Sequence, residues 1–222
     1  MKKFSLILFG IASMGEILST LFEIQILHTL CKPALLIALT GYYIFYKRKL
    51  NQSLSMTAIM ALVFSWGGDV LLMSEGELYF MLGLVSFLGA HMFYIFTFRQ
   101  LRSEDDTNSL QGLQRIRFAF PIILFGSGLV VILYSQLDDL KIPVLVYALV
   151  LTLMVLNALF RYGRTTTSSF IMVFSGAILF MISDSLLAVN KFLEPIPLSG
   201  FWIMSTYIGA QFLIVKGILR HS

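Results

Sequence analysis

Five ionisable side chains sit inside long apolar runs of this sequence: Glu16, Lys32, Asp69, His91 and Asp184. Each costs roughly 2.5–3.5 kcal/mol to place in hydrocarbon, so such residues are functional candidates by default. Together they offer carboxyl, ammonium and imidazole groups, the chemistry of proton transfer and of holding a polar ligand. A structural reading stands beside this one: buried aspartates can tie helices together, and Glu16 can pair with Lys32. His91, in an aromatic stretch with Phe87, Phe93 and Tyr94, also fits a hydrogen-bonded packing residue.

Other chemistries lack their residues. No His-Glu-x-x-His zinc motif, Gly-x-Ser-x-Gly elbow or phosphate-binding glycine loop occurs. Gly67-Gly68 lies in an apolar run and reads as packing. The single cysteine, Cys31, leaves no intramolecular disulfide and no Cys-based metal cluster. A haem protein would carry more histidines in its spans than His91. Neither metal nor organic cofactor is expected.

The elements that must position these groups are membrane helices. Of 222 residues, 58% are hydrophobic and only 13% charged, with a mean hydropathy of +0.85. A soluble domain needs far more polar surface. Apolar runs at about 4–22, 30–46, 54–73, 78–99, 117–134, 142–161, 168–189 and 199–219 predict an all-α bundle of about eight transmembrane helices in one integral membrane domain. The first run lacks a small-x-small cleavage site and is kept as a helix.

The basic residues orient the bundle. Lys2, Lys3, Lys47, Arg48, Lys49, Arg99, Arg102, Arg115, Arg117, Arg161, Arg164, Lys216 and Arg220 fall on one side. Lys141 and Lys191 fall on the other, and Lys32 at the predicted start of the second helix. This bias places both termini in the cytoplasm, at the inner membrane if the source is bacterial. The positive net charge is thus a topology signal and not a nucleic-acid surface. At about 1.5 Å per residue, Asp69 lies about 6 Å from the outer end of its span, Asp184 about 8 Å and His91 about 20 Å. Glu16 and Lys32 share the outer half, and His91 is too deep to complete a Ser-His-Asp arrangement with either aspartate.

The two aspartates share an Asp-x-Leu-Leu core, Asp69–Leu72 and Asp184–Leu187, each on the third helix of a four-helix half. Two explanations stand, an internal duplication (1–110 and 111–222) or coincidence in a leucine-rich chain. A duplication would give parallel halves about an axis along the membrane normal, with the aspartates facing each other. Ser65, Gly68, Asp69 and Leu72 form one helical stripe, and Gly176 and Asp184 lie two turns apart on one face. A transporter is the rival class, but Pro33, Pro121 and Pro143 fall near predicted span starts and not within broken helices.

The sequence resembles the YhhN membrane proteins. The resemblance is carried by Cys31-Lys32-Pro33, Phe64–Met73, Gly89–Tyr94 and Gly176–Asn190, in family order along most of the chain. Members of that family include lysoplasmalogenases, which cleave the vinyl-ether bond of lysoplasmalogens to a fatty aldehyde and a glycerophospho-alcohol. The resemblance implies the same hydrolase activity, with Asp69 and Asp184 as the catalytic acidic positions. It places Lys32, His91 and Tyr147 at polar substrate-site positions, with Glu16 beside them. A lysophospholipid in the bilayer is the implied partner. Vinyl-ether cleavage needs one protonated carboxyl and one carboxylate, a split that two nearby carboxyls in low dielectric provide. Met181 and Ile182 make the Asp184 segment the drier of the two and mark it as the acid. Lys32 would pair with the phosphate. The alternative readings are a small transporter or a non-catalytic lipid-binding protein with structural aspartates.

Overall fold

A computed structural model describes residues 2–221. It contains α1 (Lys2–Phe22), α2 (Gln25–Lys49), α3 (Met56–Leu71), α4 (Glu77–Gln100), α5 (Gly112–Leu133), α6 (Lys141–Leu159), α7 (Thr167–Phe192) and α8 (Ser199–Leu219). Two short 3-10 turns link α5 to α6, and no strand occurs among the described residues. The all-α membrane architecture expected from composition is therefore present. Seven helices are long and apolar enough to cross a membrane. The eighth, α3, has 16 residues and spans about 24 Å, short of the roughly 30 Å hydrocarbon core.

Outward faces are apolar: Ile7 is 60% exposed, Val131 74% and Leu149 60%. Water does not stabilise so much open hydrocarbon, whereas a bilayer covers it. This is a multi-pass membrane protein.

The chain divides into two compact units, Met1–Thr97 and Phe98–Ser222. In the first, α1 packs on α2 and α2 on α3. The Ser55 hydroxyl accepts from Ala58 N–H and caps α3, while the Tyr43 hydroxyl accepts from Ser55 N–H at 3.0 Å. Polar cross-links join α3 and α4: Ser86 Oγ donates to the Phe64 carbonyl at 2.6 Å, and Thr97 Oγ1 to Thr57 Oγ1 at 2.9 Å. In the second unit, α7 and α8 form the tightest pair. A Cβ on Gly176 would stand 2.8 Å from the Ala210 carbonyl oxygen, so only glycine permits this approach.

Helix ends differ from the hydropathy runs. α2 begins at Gln25, which places Lys32 two turns inside it and not at its start, and puts Pro33 in the interior. Pro121 is likewise interior to α5. Both helices continue through their prolines; helix formation extended into flanking polar residues that hydropathy discounts. Proline position therefore no longer weighs against a transporter as expected, although neither helix is broken. α3 stops at Leu71 and α7 runs on to Phe192. Asp69 is thus about 3 Å, and Asp184 about 12 Å, from its helix end by rise.

Candidate functional site

In the second unit, α6 and α7 bring Tyr147 and Asp184 together. The Tyr147 hydroxyl donates to Asp184 Oδ2 at 2.6 Å. Tyr147 is 8% exposed and Asp184 half-buried. On either side of the carboxyl, hydroxyls are turned into the helix or its neighbour: Ser185 Oγ donates to the Met181 carbonyl, and Ser183 Oγ to the Ile203 carbonyl of α8. Both serines are thereby held, and the phenol is a polar group presented to Asp184 Oδ2. A short bond from a neutral donor to a carboxylate stabilises negative charge on that oxygen. One turn back, Met181 is 4% exposed and joins Pro121, Ile122, Phe125, Ile178 and Ile182 in an apolar groove of about 270 Å³ between α5 and α7.

In the first unit, Asp69 is 2% exposed. The buried positions of α3 are Ala58, Ala61, Leu62, Ser65, Gly68 and Asp69; Ser65, Gly68 and Asp69 of the anticipated stripe are among them, whereas Leu72 caps the helix and is half-buried. Gly68 lies against the Phe87 ring, Gly83 against Leu72, and Gly89 against Phe64. This antiparallel register sets Asp69 level with the Gly83–Phe87 stretch. His91, fully buried, lies about 9 Å further along by helical rise. Trp66, one turn before Asp69, borders an apolar groove of about 500 Å³ between α2 and α3.

Glu16 is fully buried and pairs with His28 Nδ1 at 2.9 Å, not with Lys32 as expected. Ser19 Oγ donates to the Glu16 carbonyl at 2.7 Å and lies 3.4 Å from its carboxylate. His28 and Lys32 share a face of α2, four residues apart, but the imidazole sits nearer the α1–α2 turn and reaches the carboxylate first. Lys32 is half-buried and makes no ion pair among the described residues. Sequence reasoning missed His28 because it lay outside the apolar run assigned to the second helix. The i, i+4 spacing to Lys32 was the available signal.

No group of three or more His, Cys, Asp or Glu residues able to hold a metal occurs among the described residues. The first unit offers carboxyl and imidazole groups, and the second a carboxyl–phenol pair, each unit with an apolar groove of its own.

Residues 27–218 match the model of the YhhN family. The chain belongs to the YhhN family. Its relatives include human lysoplasmalogenase TMEM86B, 31% identical over 160 residues, covering 72% of this chain and 62% of the relative. Human lysoplasmalogenase TMEM86A is 33% identical over 159 residues, covering 70% and 62%. A Mycobacterium tuberculosis lysoplasmalogenase is 30% identical over 165 residues, covering 72% and 59%. The chain thus spans about three-fifths of the length of these YhhN-family relatives. No solved structure matches it.

Proposed function

We propose that this YhhN-family protein is an intramembrane hydrolase that cleaves the vinyl-ether bond of lysoplasmalogen. The observation that carries the reading is the Tyr147–Asp184 pair, a half-buried carboxylate braced by a phenol inside a chain whose relatives are named lysoplasmalogenases. An acid is required to protonate the outer alkene carbon of the substrate, which leaves an oxocarbenium ion. Water adds to the cationic carbon and gives up a proton to a carboxylate. The hemiacetal then collapses to a fatty aldehyde and a glycerophospho-alcohol, with one water consumed.

Asp184 suits the carboxylate role, because the Tyr147 O–H stabilises negative charge on Oδ2 and thereby opposes the developing cation with fixed charge. That support reverses the assignment made from dryness alone. Asp69, 2% exposed on the buried stripe of α3 with Ala61, Ser65 and Gly68, is the second carboxyl and takes the role of acid. His91 and Glu16 are assigned to the polar shell of the same reaction, and Lys32, without an ion pair among the described residues, to the substrate phosphate. Apolar grooves beside α3 and α7 suit the alkenyl chain. The bias of the basic residues supports cytoplasmic termini as part of the same reading.

The test is aldehyde release from lysoplasmalogen in detergent by wild type, Asp69→Asn and Asp184→Asn at matched folded yield. Active wild type with two folded, inactive variants supports the reading. Folded wild type that releases no aldehyde overturns it in favour of transport or lipid binding.

A further inference from the structure

Five arginines gather in the second unit, from the end of α4 (Arg99 and Arg102), the start of α5 (Arg115) and the segment after α6 (Arg161 and Arg164). Arg99 Nε and Arg102 Nη2 both donate to the Asn157 amide oxygen, at 3.0 and 2.9 Å, and Arg102 Nη2 also to the Asn157 carbonyl at 2.8 Å. Arg161 is fully buried, with Nη2 donating to Ser169 Oγ at 2.9 Å. Arg164 donates twice to the Ser103 carbonyl, at 2.9 and 2.7 Å. The Arg115 guanidinium stacks 4.0 Å over the Phe160 ring and makes no hydrogen bond among the described residues.

Among the described residues, no carboxylate pairs with any of the five. Buried cations are ordinarily paired or hydrogen-bonded throughout. Here Arg102 Nε and Arg161 Nη1 are buried without a hydrogen-bond partner. Burial first, and then the charges of Arg164, Arg99 and Arg115, push the Arg102 guanidinium down to about 10. Burial and Arg102 push Arg161 down to about 10 as well. Both remain charged at neutral pH, so the cluster holds uncompensated positive charge.

The cluster borders a cleft of about 240 Å³, lined by Arg102, Arg115, Arg164, Ser109, Gln111 and the carboxylate-bearing Asp106. Three guanidiniums outweigh the one opposing carboxylate. The first turn of α5 opens onto the same cleft, and its N-cap Gln111 contributes no side-chain cap, so amide donors and the positive end of the helix add to the field. The cleft is built, not incidental. Ser103 N–H donates to the Arg164 carbonyl at 2.8 Å. Gly163, at φ +69°, lets the α6–α7 loop lie against the Asn108 carbonyl, where any Cβ would collide.

We propose that this cleft binds a phosphate group, carried either by an anionic phospholipid headgroup or by a soluble phosphorylated compound. Guanidinium forks match phosphate geometry, and basic pockets at helix ends suit lipid headgroups. The cleft lies beyond the far end of α6 from Tyr147: its lining residue Phe160 is thirteen residues on, about 20 Å by rise. It is therefore independent of the hydrolase reading.

The test uses full-length protein, wild type against Arg115→Gln and Arg115→Gln/Arg164→Gln. Native mass spectrometry reads retention of phosphatidylglycerol against phosphatidylcholine. Thermal unfolding reads stabilisation by inorganic phosphate against chloride at equal ionic strength. Wild type is expected to show at least one response, weakened about tenfold in the double variant. Arg115→Gln, which removes no hydrogen bond, is expected to weaken it about threefold and serves alone if the double variant does not fold. Lipid retention without a phosphate response assigns the headgroup; a phosphate response without retention assigns the soluble source. Absence of both in wild type, or equal responses in wild type and Arg115→Gln, overturns the proposal. Aldehyde release is read separately, and its loss or retention does not bear on this site.

Discussion

The Tyr147 hydroxyl and Asp184 Oδ2 stand 2.6 Å apart across the α6–α7 interface. A hydrogen bond to a charged group contributes about 1.5–3 kcal/mol, which corresponds to roughly one to two decades of rate when the charge faces a developing cation. Tyr147→Phe keeps the ring and removes only the donor. It is expected to lower kcat by about tenfold or more with folded yield unchanged, whereas Asp184→Asn lowers it by about a hundredfold or more. Steady-state aldehyde release measures both. An unaltered Tyr147→Phe rate would remove the phenol from the mechanism.

The Glu16–His28 pair also bears on the stability of the first unit. Glu16→Ala strands His28 and is expected to destabilise the protein by about 2 kcal/mol, less than for a fully enclosed pair because His28 is partly open. A double-mutant cycle between the two should show coupling above about 0.5 kcal/mol by denaturant unfolding. Coupling indistinguishable from zero would mean that the contact contributes nothing.

Lys32 should behave in the opposite way. With no ion pair among the described residues, Lys32→Met is expected to shift stability by less than about 0.5 kcal/mol. As a phosphate partner its loss should raise KM about three- to tenfold with kcat held, the signature of uniform binding. A pure kcat defect would place Lys32 in the chemical step.

Gly163→Ala introduces a side chain at φ +69°, against the Asn108 carbonyl. The expected loss is more than about 1 kcal/mol of thermal stability. Gly112→Ala also sits at positive φ but meets nothing within 4 Å, and should cost less. Equal losses would show that backbone conformation, not the loop contact, governs the cost.

Orientation is testable with single cysteines at Ser74 and Arg48 after Cys31→Ser. Impermeant reagent in intact cells should label Ser74→Cys and spare Arg48→Cys. The reverse pattern would invert the topology drawn from the basic residues.

The architecture was legible because hydrocarbon demands long apolar helices, and that demand leaves a plain trace in composition. Ser65, Gly68 and Asp69 were readable as one stripe because helical spacing alone sets a shared face. Partners were harder. Glu16 could be matched with any base in the outer half, and only the α1–α2 geometry selects His28. The arginines around Asn157 were read as a topology signal; nothing in their spacing revealed that three separate segments bring them to one cleft. Helix ends were misjudged where polar residues continue a helix, as Gln25 and His28 do ahead of Lys32.

The shortness of α3 has a consequence for water. A helix reaching about 24 Å obliges the bilayer around it to thin, or its polar boundary to dip, by several ångströms. Hydrolysis, on the reading proposed above, consumes one water per turnover, and hydrocarbon supplies almost none. Asp69 lies two residues before the end of α3, so a boundary drawn in at that end would bring interfacial water to the helix terminus while the carboxyl itself stays buried. Water for the proposed reaction would then reach the bundle from the membrane surface and not through an aqueous channel.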